Sequence, residues 1–531
     1  MNAKQIRVQE PTTEVIILDG GLNEAVSSIE MKSGELILSK NYYITEGSTG
    51  GYASVKGYER YDGQPKPSSV AATEADDTAR EAARALIATV PGVGSVNGIH
   101  VFKGKLYAVR DKVGSVTAGL YVESAAGWVE VDTSAAPLAP GGRYTFITYN
   151  FSGSATGEAM YWTSGVDKVC HYDGTTFGKI TTGMAVDTPE FLEAHNDRLW
   201  LTFSGGSLQY STTGVPTDWI TDAGEIGVGF DITALAETVG NVLVIFGKTH
   251  IKILEGASTS DWVLKAYSDV VGAYKYTVEK LFDTLIFMSD MGVTTLSAAQ
   301  EFGDFASNSI SEKIKKSLFT YKNNITCSAV IRSLNQYRLY FNDGKGLVFS
   351  FFNKKLRGIT LIEFTNPVSI TTEGRDSSGH PINFFSSSSG YAYEDHIGTS
   401  FDGVAITSRL STSYYHYKSP RYLKRFLRVT FEIASVDPIT FSIRPSFDYA
   451  ITTYPKGSER EFSVIGAGSV WGDGLWGTMT WAGAEGANRI FYDLQGIGAN
   501  MNITLQYSSK FSRQHILQNL ITDFIVIGRQ M

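Results

Sequence analysis

Short stretches in which apolar and other residues alternate recur along the chain, and most come in pairs joined by a tight turn. In Asp197–Ser211 (DRLWLTFSGGSLQYS), apolar residues occupy every second position on both sides of a Gly-Gly pair. Period-two alternation around such a pair predicts a β-hairpin. Similar pairs begin at Lys105, Ala159, Val242, Thr284, Tyr337 and, in a weaker copy, Ile382. The chain therefore contains seven candidate hairpins of one kind.

The spacing of these hairpins predicts the architecture. Successive copies begin 39 to 54 residues apart. A repeat of this length, built from short strands without a regular helix, is typical of a β-propeller. Each blade of a propeller is a four-stranded sheet whose faces are covered by its neighbours. We therefore predict an all-β protein with a propeller of six or seven blades, in which Trp162 and Trp200 pack between blades.

Two segments have the periodicity of helices rather than strands. Residues 73–90 are rich in alanine and place Ala79, Ala82, Leu86 and Val90 on one stripe, behind a capping box formed by Thr73 and Asp76. Residues 309–321 repeat this pattern, with Ser309 and Glu312 as the box and Ile310, Ile314 and Leu318 as the stripe. We expect two short helices packed on the propeller.

The two ends of the chain do not share the hairpin period. Residues 1–70 contain alternating runs and a turn-rich stretch, and residues 405–531 contain longer strands such as 425–433. We predict three parts: an N-terminal β segment (1–70) that packs with the C-terminal domain, the propeller with its two helices (71–404), and a β-rich, platform-like domain (405–531).

Composition narrows the classes of function. The formal net charge is −8, which argues against a general nucleic-acid binder but permits a channel wall along which DNA passes without sticking. The two cysteines, Cys170 and Cys327, imply no disulfide framework and fit folding in a reducing cytosol. No stretch approaches the roughly 18–20 apolar residues that span a bilayer, and the N-terminus lacks the apolar region of a signal peptide. We expect no membrane insertion.

Few motifs point to chemistry. Gly472–Gly477 (GDGLWG) matches the glycine pattern of dinucleotide-binding loops, but no helix is predicted after it. Trp471 and Trp476 around this loop are candidates for packing or for a protein contact. No G-x-S-x-G, H-E-x-x-H or C-x-x-C occurs. The possible acid–base groups at 195–197 and 394–396 lie in turns or at strand ends, where polar residues are common. We predict no catalytic residue, cofactor or metal.

One dense basic stretch stands out in this acidic protein. It comprises Lys418, Arg421, Lys424, Arg425 and Arg428. Such a stretch could contact an acidic partner surface or phosphate. It could equally protect a strand edge from pairing with another chain. Both interpretations stay open.

Several segments in order resemble one family, the tail nozzle proteins of short-tailed bacteriophages, also called tail tubular protein B or packaged-DNA stabilisation proteins. The resemblance is based on GGLN from Gly20, NYY from Asn41, GYERYDG from Gly57, VPGVG from Val90 and VFKGKLYAVR from Val101. It covers most of residues 15–300. None of these motifs is catalytic, and their order and spacing carry the similarity.

The resemblance implies a virion protein rather than an enzyme. Nozzle proteins assemble as a hexameric ring beneath the adaptor or portal ring, continue the DNA channel, retain packaged DNA and present surfaces to tail fibres or spikes. We therefore expect a homohexamer in the virion tail, assembled in the host bacterial cytoplasm. Its expected partners are the adaptor (head-to-tail connector) ring, tail fibres or spikes, and double-stranded DNA that passes without specific binding.

Two other functions fit the same sequence. An aromatic-rich propeller could bind carbohydrate, or cleave it with paired carboxylates as a tail-associated depolymerase. A propeller could also serve as a general protein-interaction module.

Overall fold

The computed structural model describes residues 10–45, 50–70, 76–114, 116–296, 309–449, 459–464 and 488–529. The N-terminal region contributes five short strands and one helix: β1 (Thr12–Ile17), β2 (Leu36–Lys40), β3 (Tyr42–Ile44), β4 (Tyr52–Ser54), β5 (Tyr58–Tyr61) and α1 (Asp77–Leu86). These strands are distributed over three different sheets.

The middle of the chain folds into seven small antiparallel sheets in chain order. The first four are β6 (Val93–Phe102), β7 (Lys105–Asp111), β8 (Ala118–Val122) and β9 (Val129–Glu130); β10 (Thr145–Tyr149), β11 (Ala159–Thr163), β12 (Cys170–Tyr172) and β13 (Phe177–Lys179); β14 (Leu192–His195), β15 (Arg198–Phe203), β16 (Ser207–Tyr210) and β17 (Gly224–Gly227); and β18 (Ile232–Thr238), β19 (Val242–Gly247), β20 (Ile251–Glu255) and β21 (Val263–Ser268).

The remaining three sheets complete the series. They are β22 (Glu279–Leu281), β23 (Thr284–Ser289) and β24 (Gly292–Thr295); β25 (Ile325–Ile331), β26 (Gln336–Phe341), β27 (Lys345–Phe352) and β28 (Lys355–Glu363); and β29 (Ile370–Arg375), β30 (Pro381–Ser386) and β31 (Ala392–Asp395). We number these sheets blades 1 to 7. The first strand of each blade packs beside the first strand of the next, and β29 returns to β6. The ring therefore closes as a seven-bladed propeller, which confirms the predicted fold class.

The last blade is completed by the N-terminal segment. Strand β5 pairs antiparallel with β31 and supplies the fourth strand of blade 7. Residues 58–61, which the sequence analysis grouped with the N-terminal segment, thus belong to a propeller sheet. Tyr58 at the start of β5 is fully buried, and its ring contacts four other aromatic rings, those of Phe364, Phe385, Tyr393 and Phe401. This cluster ties the closing strand to blades 6 and 7.

The predicted hairpins form the two middle strands of the seven blades. Their alternating residues fill the spaces between blades, as in the pair formed by blades 3 and 4, where Trp200 packs with Leu243, Ile245 and Leu254. Trp162 fills the corresponding space between blades 1 and 2. Both tryptophans are at most 1% exposed. Because a blade cannot bury its faces alone, this packing between neighbours stabilises the ring.

The two ends of the chain form a β-sandwich. The C-terminal strands are β32 (Ile406–Thr412), β33 (Tyr422–Ser435), β34 (Ile439–Phe447), β35 (Arg460–Val464), β36 (Asn488–Gly498), β37 (Met501–Ser509) and β38 (His515–Arg529). One sheet has the order β3-β4-β38-β33-β36, with β1 also on β38, and the other has the order β2-β32-β37-β34-β35. Their facing residues form one large apolar core.

The helices differ from the prediction in extent and in orientation. Helix α1 is shorter than residues 73–90, and Ala79, Ala82 and Leu86 of the predicted apolar stripe lie in solvent. The buried side chains are instead Arg80 and Arg84. Thr73 of the proposed capping box lies outside the described residues. Hydrogen bonds from Arg80 to Val70 and Thr399, and the ion pair of Arg84 with Asp402, rather than apolar packing, therefore hold this helix against the rest of the protein.

The second helical segment is closer to the prediction. It begins as a single 3₁₀ turn over Glu312–Ile314 and continues as α2 (Lys315–Tyr321), with Ile314 and Leu318 buried. Ser309 does not cap it; its hydroxyl donates to the carbonyl of Val293 in blade 5. Further 3₁₀ turns lie at Pro67–Ser69, Lys322–Asn324 and Arg332–Leu334. Within the described part of the chain, no helix is long and apolar enough to cross a membrane.

Candidate functional sites: an exposed sheet face and a central cavity

The basic stretch does not form one continuous positive surface. Lys418, Arg421, Arg425 and Arg428 are exposed, but Lys418 lies 3.4 Å from a carboxylate oxygen of Glu14 and Arg428 donates to Asp493 at 2.9 Å. These pairs neutralise part of the charge. Arg425 and Arg428 point outward from the six-stranded sheet of the sandwich.

The sequence predicts that Lys424 contacts a partner, and its position in the structure contradicts that prediction. Its side chain is fully buried, and its ammonium donates to the carbonyls of Ser419, Tyr422 and Ala499 at 2.7, 3.0 and 2.8 Å. Burial lowers the pKa of Lys424 to about 8. With three donors matched to three carbonyls, this lysine joins two strand ends inside the domain and is inaccessible to a partner. Trp471 and Trp476, the other predicted contact residues, lie outside the described residues.

The outward side of the six-stranded sheet carries several exposed apolar residues. We call this surface the outer sheet face; its most exposed members are Val15, Ile17, Phe491, Ile497 and Ile527, each 50–60% exposed. Strand β1 brings Val15 opposite Ile521 on β38, and β33 brings Arg425 opposite both Ile497 and Ile525. The side chains are therefore neighbours on one continuous surface.

Charges on the outer sheet face cancel locally. Besides the Arg428–Asp493 pair, Arg489 donates to Glu432 at 2.8 Å. Arg425 carries a further positive charge, and Asp523, which accepts from the hydroxyl of Thr13 at 2.6 Å, carries a negative one. The face is mixed in sign and apolar between its charges. Such a surface suits a protein partner of similar character and offers no excess positive charge for phosphate.

The sequence of β38 indicates this face, although it contains no hairpin pattern. Eight of the twelve residues 516–527 (ILQNLITDFIVI) are apolar, so apolar side chains lie on both sides of β38. A half-exposed strand normally alternates. In β38 the isoleucines on the outer side, Ile521, Ile525 and Ile527, remain partly or largely exposed.

A second candidate site is the cavity on the propeller axis. It has a volume of about 510 Å³, and residues from all seven blades line it. Its ionisable groups include Glu193, Glu237 and Glu279 from blades 3, 4 and 5, together with Arg143, Lys280 and Arg332. Phe146, Phe191 and Tyr276 provide aromatic surface. We call this space the central cavity.

The carboxylates of the central cavity have few hydrogen-bond partners among the described residues. Within the described chain, the carboxylate of Glu193 accepts only the backbone N–H of Ala194, at 3.1 Å. Burial raises the pKa of Glu193 to about 7, with a smaller contribution from the nearby Glu237. Burial also raises the pKa of Glu237 and of Glu279, and the latter accepts from the Ser328 hydroxyl at 3.0 Å.

The three cations of the cavity differ in the contacts that their side chains make. The guanidinium of Arg143 lies 3.7 Å from the ring centre of Tyr276 and donates to the carbonyls of Thr326 and Ser369. Arg332 pairs with Glu373, and Lys280 is exposed. Carboxyl groups with raised pKa values in a cavity of this size make the central cavity a candidate binding site.

The acid–base groups considered from sequence do not assemble into a catalytic pair. Glu394 pairs with Lys66 at 2.7 Å, and Asp395 with the buried Arg338 at 3.2 Å. His396 and His195 are enclosed, and burial lowers the pKa of each to about 4. These groups belong to the packing between blades. Among the described residues, no cluster of three or more His, Cys, Asp or Glu side chains could hold a metal ion.

Comparisons with known proteins bear on the fold alone. No family model and no curated protein matches the chain. Similar solved structures include PorZ of the Porphyromonas gingivalis type-IX secretion system, at 10% identity and TM-score 0.40 over 71% of this chain. Others are the WD40 repeats of RRP9 (9%, TM-score 0.40) and of Neurospora crassa Pan2 (8%, TM-score 0.36), over 59% and 57% of this chain.

The share of each solved structure that this chain covers also differs. This chain spans 56% of PorZ, 97% of the RRP9 chain and 89% of the Pan2 chain. At these identities the similarity is one of propeller architecture, and it carries no functional information.

Proposed function

We propose that this protein is a structural component of a short-tailed bacteriophage tail, a nozzle whose copies form a ring. The ring continues the DNA channel below the adaptor or portal, retains packaged DNA and offers surfaces to fibres or spikes. In this proposal the protein catalyses no reaction and is assembled in the host cytoplasm before it resides in the virion. The ordered sequence motifs described above motivate it.

The outer sheet face is the observation that carries the proposal. Complete burial of an exposed Val, Ile or Phe side chain stabilises by about 1.5–3 kcal/mol. Covering the remaining half of its five most exposed residues therefore contributes roughly 4–7 kcal/mol. A patch of this kind on a folded domain is typical of an assembly surface. We take its occupant to be a second copy of this chain, because its charges of both signs balance within the face.

The size of that contribution favours a closed ring. Joining two molecules costs roughly 4–15 kcal/mol of translational and rotational freedom, so one such contact gives weak association. Docking on a preformed adaptor ring holds the copies at high effective concentration, and each contact between neighbours then adds stability. We expect weak self-association of the free chain and a stable ring on the adaptor.

The charge of the protein is consistent with passage of DNA rather than its capture. The net charge is −8, and the basic stretch is partly paired or buried. A surface that released few counterions on contact with phosphates would not bind DNA strongly.

A matched pair of variants tests the proposal. Ile497→Asp places a charge in the outer sheet face, whereas Ile220→Asp makes the same change at an isoleucine that is 93% exposed on blade 3. We expect Ile497→Asp to weaken ring formation on the adaptor at least 100-fold in sedimentation or mass photometry, and Ile220→Asp to leave it unchanged. Normal assembly of Ile497→Asp would show that the face is not the contact.

A further inference from the structure

The outer sheet face is bounded by two edge strands on opposite sides of the sheet. Within the described part of the chain, β1 pairs only with β38, and β36 pairs only with β33. Residues align in rows that cross these four strands, and one row comprises Val15, Ile521, Thr430 and Phe491. An edge strand directs half of its backbone N–H and C=O groups away from its sheet, where another strand can pair with them.

Exposure along this row is highest at the two edges. Val15 is 54% exposed and Phe491 is 60% exposed, whereas Thr430 between them is 5% exposed. Four of the five most exposed apolar residues of the face lie on the edge strands, Val15 and Ile17 on β1 and Phe491 and Ile497 on β36. The apolar surface that remains in solvent is therefore concentrated at the sides of the sheet, where an adjacent strand would cover it.

Neither edge strand carries the residues that commonly prevent pairing with another chain. The sequences of β1 (TTEVII) and β36 (NRIFYDLQGIG) contain no lysine and no proline. Strand β1 pairs with β38 without a bulge, and the bulge between β33 and β36 lies beyond Asp493. Residues 488–493 therefore form a regular edge of the same length as β1.

The two edges are compatible in direction and in charge. The three pairings that lead from β1 to β36 are all antiparallel, so β1 and β36 run in opposite directions. Placing β36 of one copy beside β1 of the next copy continues the antiparallel order and keeps the outer side of both sheets on one side. The outward side chains of β1 are the uncharged Thr13, Val15 and Ile17. They meet Arg489 and Asp493 of β36 without like-charge repulsion.

We propose that neighbouring copies in the ring join by antiparallel pairing of β36 in one copy with β1 in the next, so that the outer sheet continues from copy to copy. The inference rests on the proposed ring and specifies its contact. Pairing of unlike edges is heterologous and repeats around a ring, whereas pairing of two β36 edges or two β1 edges would close at two copies. Continuation of the rows places Phe491 opposite Val15 of the next copy and covers both side chains.

Disulfide cross-linking of the full chain on its adaptor ring tests this pairing. The double variant Val15→Cys/Phe491→Cys places one cysteine on each edge, and the native Cys170 and Cys327 are buried. Directly opposite residues have Cβ atoms about 4.5–5.5 Å apart, near the span of a disulfide, and diagonal neighbours lie about 7–8 Å apart. With copper–phenanthroline as the oxidant, we expect the double variant to give a ladder of covalent oligomers up to the complete ring. A mixture of the two single variants should give covalent dimers only, and each single variant alone should give none.

Further variants fix the register and the background. Val15→Cys is also combined with Arg489→Cys and with Asp493→Cys, since a shift of the register by two residues would bring one of these opposite position 15. The control Val15→Cys/Ile220→Cys carries its second cysteine at an isoleucine that is 93% exposed on blade 3. We expect one of the three edge pairs to give at least tenfold more covalent product than this control.

The outcomes separate this inference from the proposed ring. Mass photometry of each variant under reducing conditions shows whether the ring forms on the adaptor. A ring in which none of the three edge pairs cross-links more than the control overturns the edge pairing and leaves the ring proposal standing. Covalent dimers from Phe491→Cys alone would indicate pairing of two β36 edges and also overturn it. Absence of a ring from the unmodified protein overturns both proposals.

Discussion

Glu193 is predicted to make the stability of the protein depend on pH in a defined direction. Its pKa is raised from an ordinary value of 4.5 to about 7, mainly because burial disfavours the charged form. The groups that face it are the backbone N–H of Ala194, the carboxylate of Glu237 and the ammonium of Lys280. At about pH 4 the carboxyl is mostly protonated in both the folded and the unfolded chain, so its ionisation hardly affects the free energy of unfolding.

As the pH rises from 4.5 towards 7, the unfolded chain releases this proton while the folded chain retains it. The free energy of unfolding therefore falls across this window and levels off above it. A shift from 4.5 to about 7 corresponds to at most about 3 kcal/mol at 1.36 kcal/mol per pKa unit. Because the side chain lines the open central cavity and is not enclosed on all sides, we expect roughly 1–2 kcal/mol in practice.

The assay compares Glu193→Gln with the unmodified protein by urea unfolding across about pH 4 to 8. The glutamine cannot ionise, so the variant should be about 1–2 kcal/mol more stable above pH 7 and should lose that advantage near pH 4. The control Glu255→Gln should follow the unmodified protein at each pH. Parallel curves for Glu193→Gln and the unmodified protein, or a variant that is less stable at pH 7, would refute the reasoning.

Two further predictions concern the packing of the propeller. Trp200→Ala removes a fully buried ring and the hydrogen bond from its Nε1 to the carbonyl of His195, and should lower the free energy of unfolding by about 3–5 kcal/mol in chemical denaturation. The control Trp219→Ala, at a partly exposed loop tryptophan, should lower it much less. Equal losses in the two variants would contradict the packing of Trp200 between blades. Asp395→Leu leaves Arg338, 1% exposed, without its carboxylate partner at 3.2 Å, and should cost about 3–5 kcal/mol. The double variant Arg338→Met/Asp395→Leu should recover part of that loss, and a purely additive double variant would argue against the pair.

The blade structure follows from sequence because it depends on local patterns. Hairpins such as 198–210 combine period-two alternation with a glycine turn, and both features are properties of a few neighbouring residues. The count of seven hairpins matched the seven blades. The origin of the final strand was not predictable, because β5 joins β31 across more than 300 residues, and no local pattern specifies that pairing.

Whether a charged side chain is buried or exposed was harder to predict from the sequence than where the strands lie. In α1, the alanine stripe predicted the wrong face, since Arg80 donates to the carbonyl of Val70 and Arg84 lies 3.2 Å from Asp402. In the basic stretch, Lys424 is buried because three carbonyls happen to converge on it. Such partners come from distant segments, so a charge pattern along the chain cannot reveal them.

Ring formation on the adaptor is the central claim, and imaging tests it most directly. The purified chain would be mixed with its adaptor ring and examined by negative-stain microscopy, with mass photometry of the same sample. We predict a six-fold ring coaxial with the adaptor, lost in Ile497→Asp and kept in Ile220→Asp. A chain that remains monomeric beside intact adaptor rings would contradict the proposal.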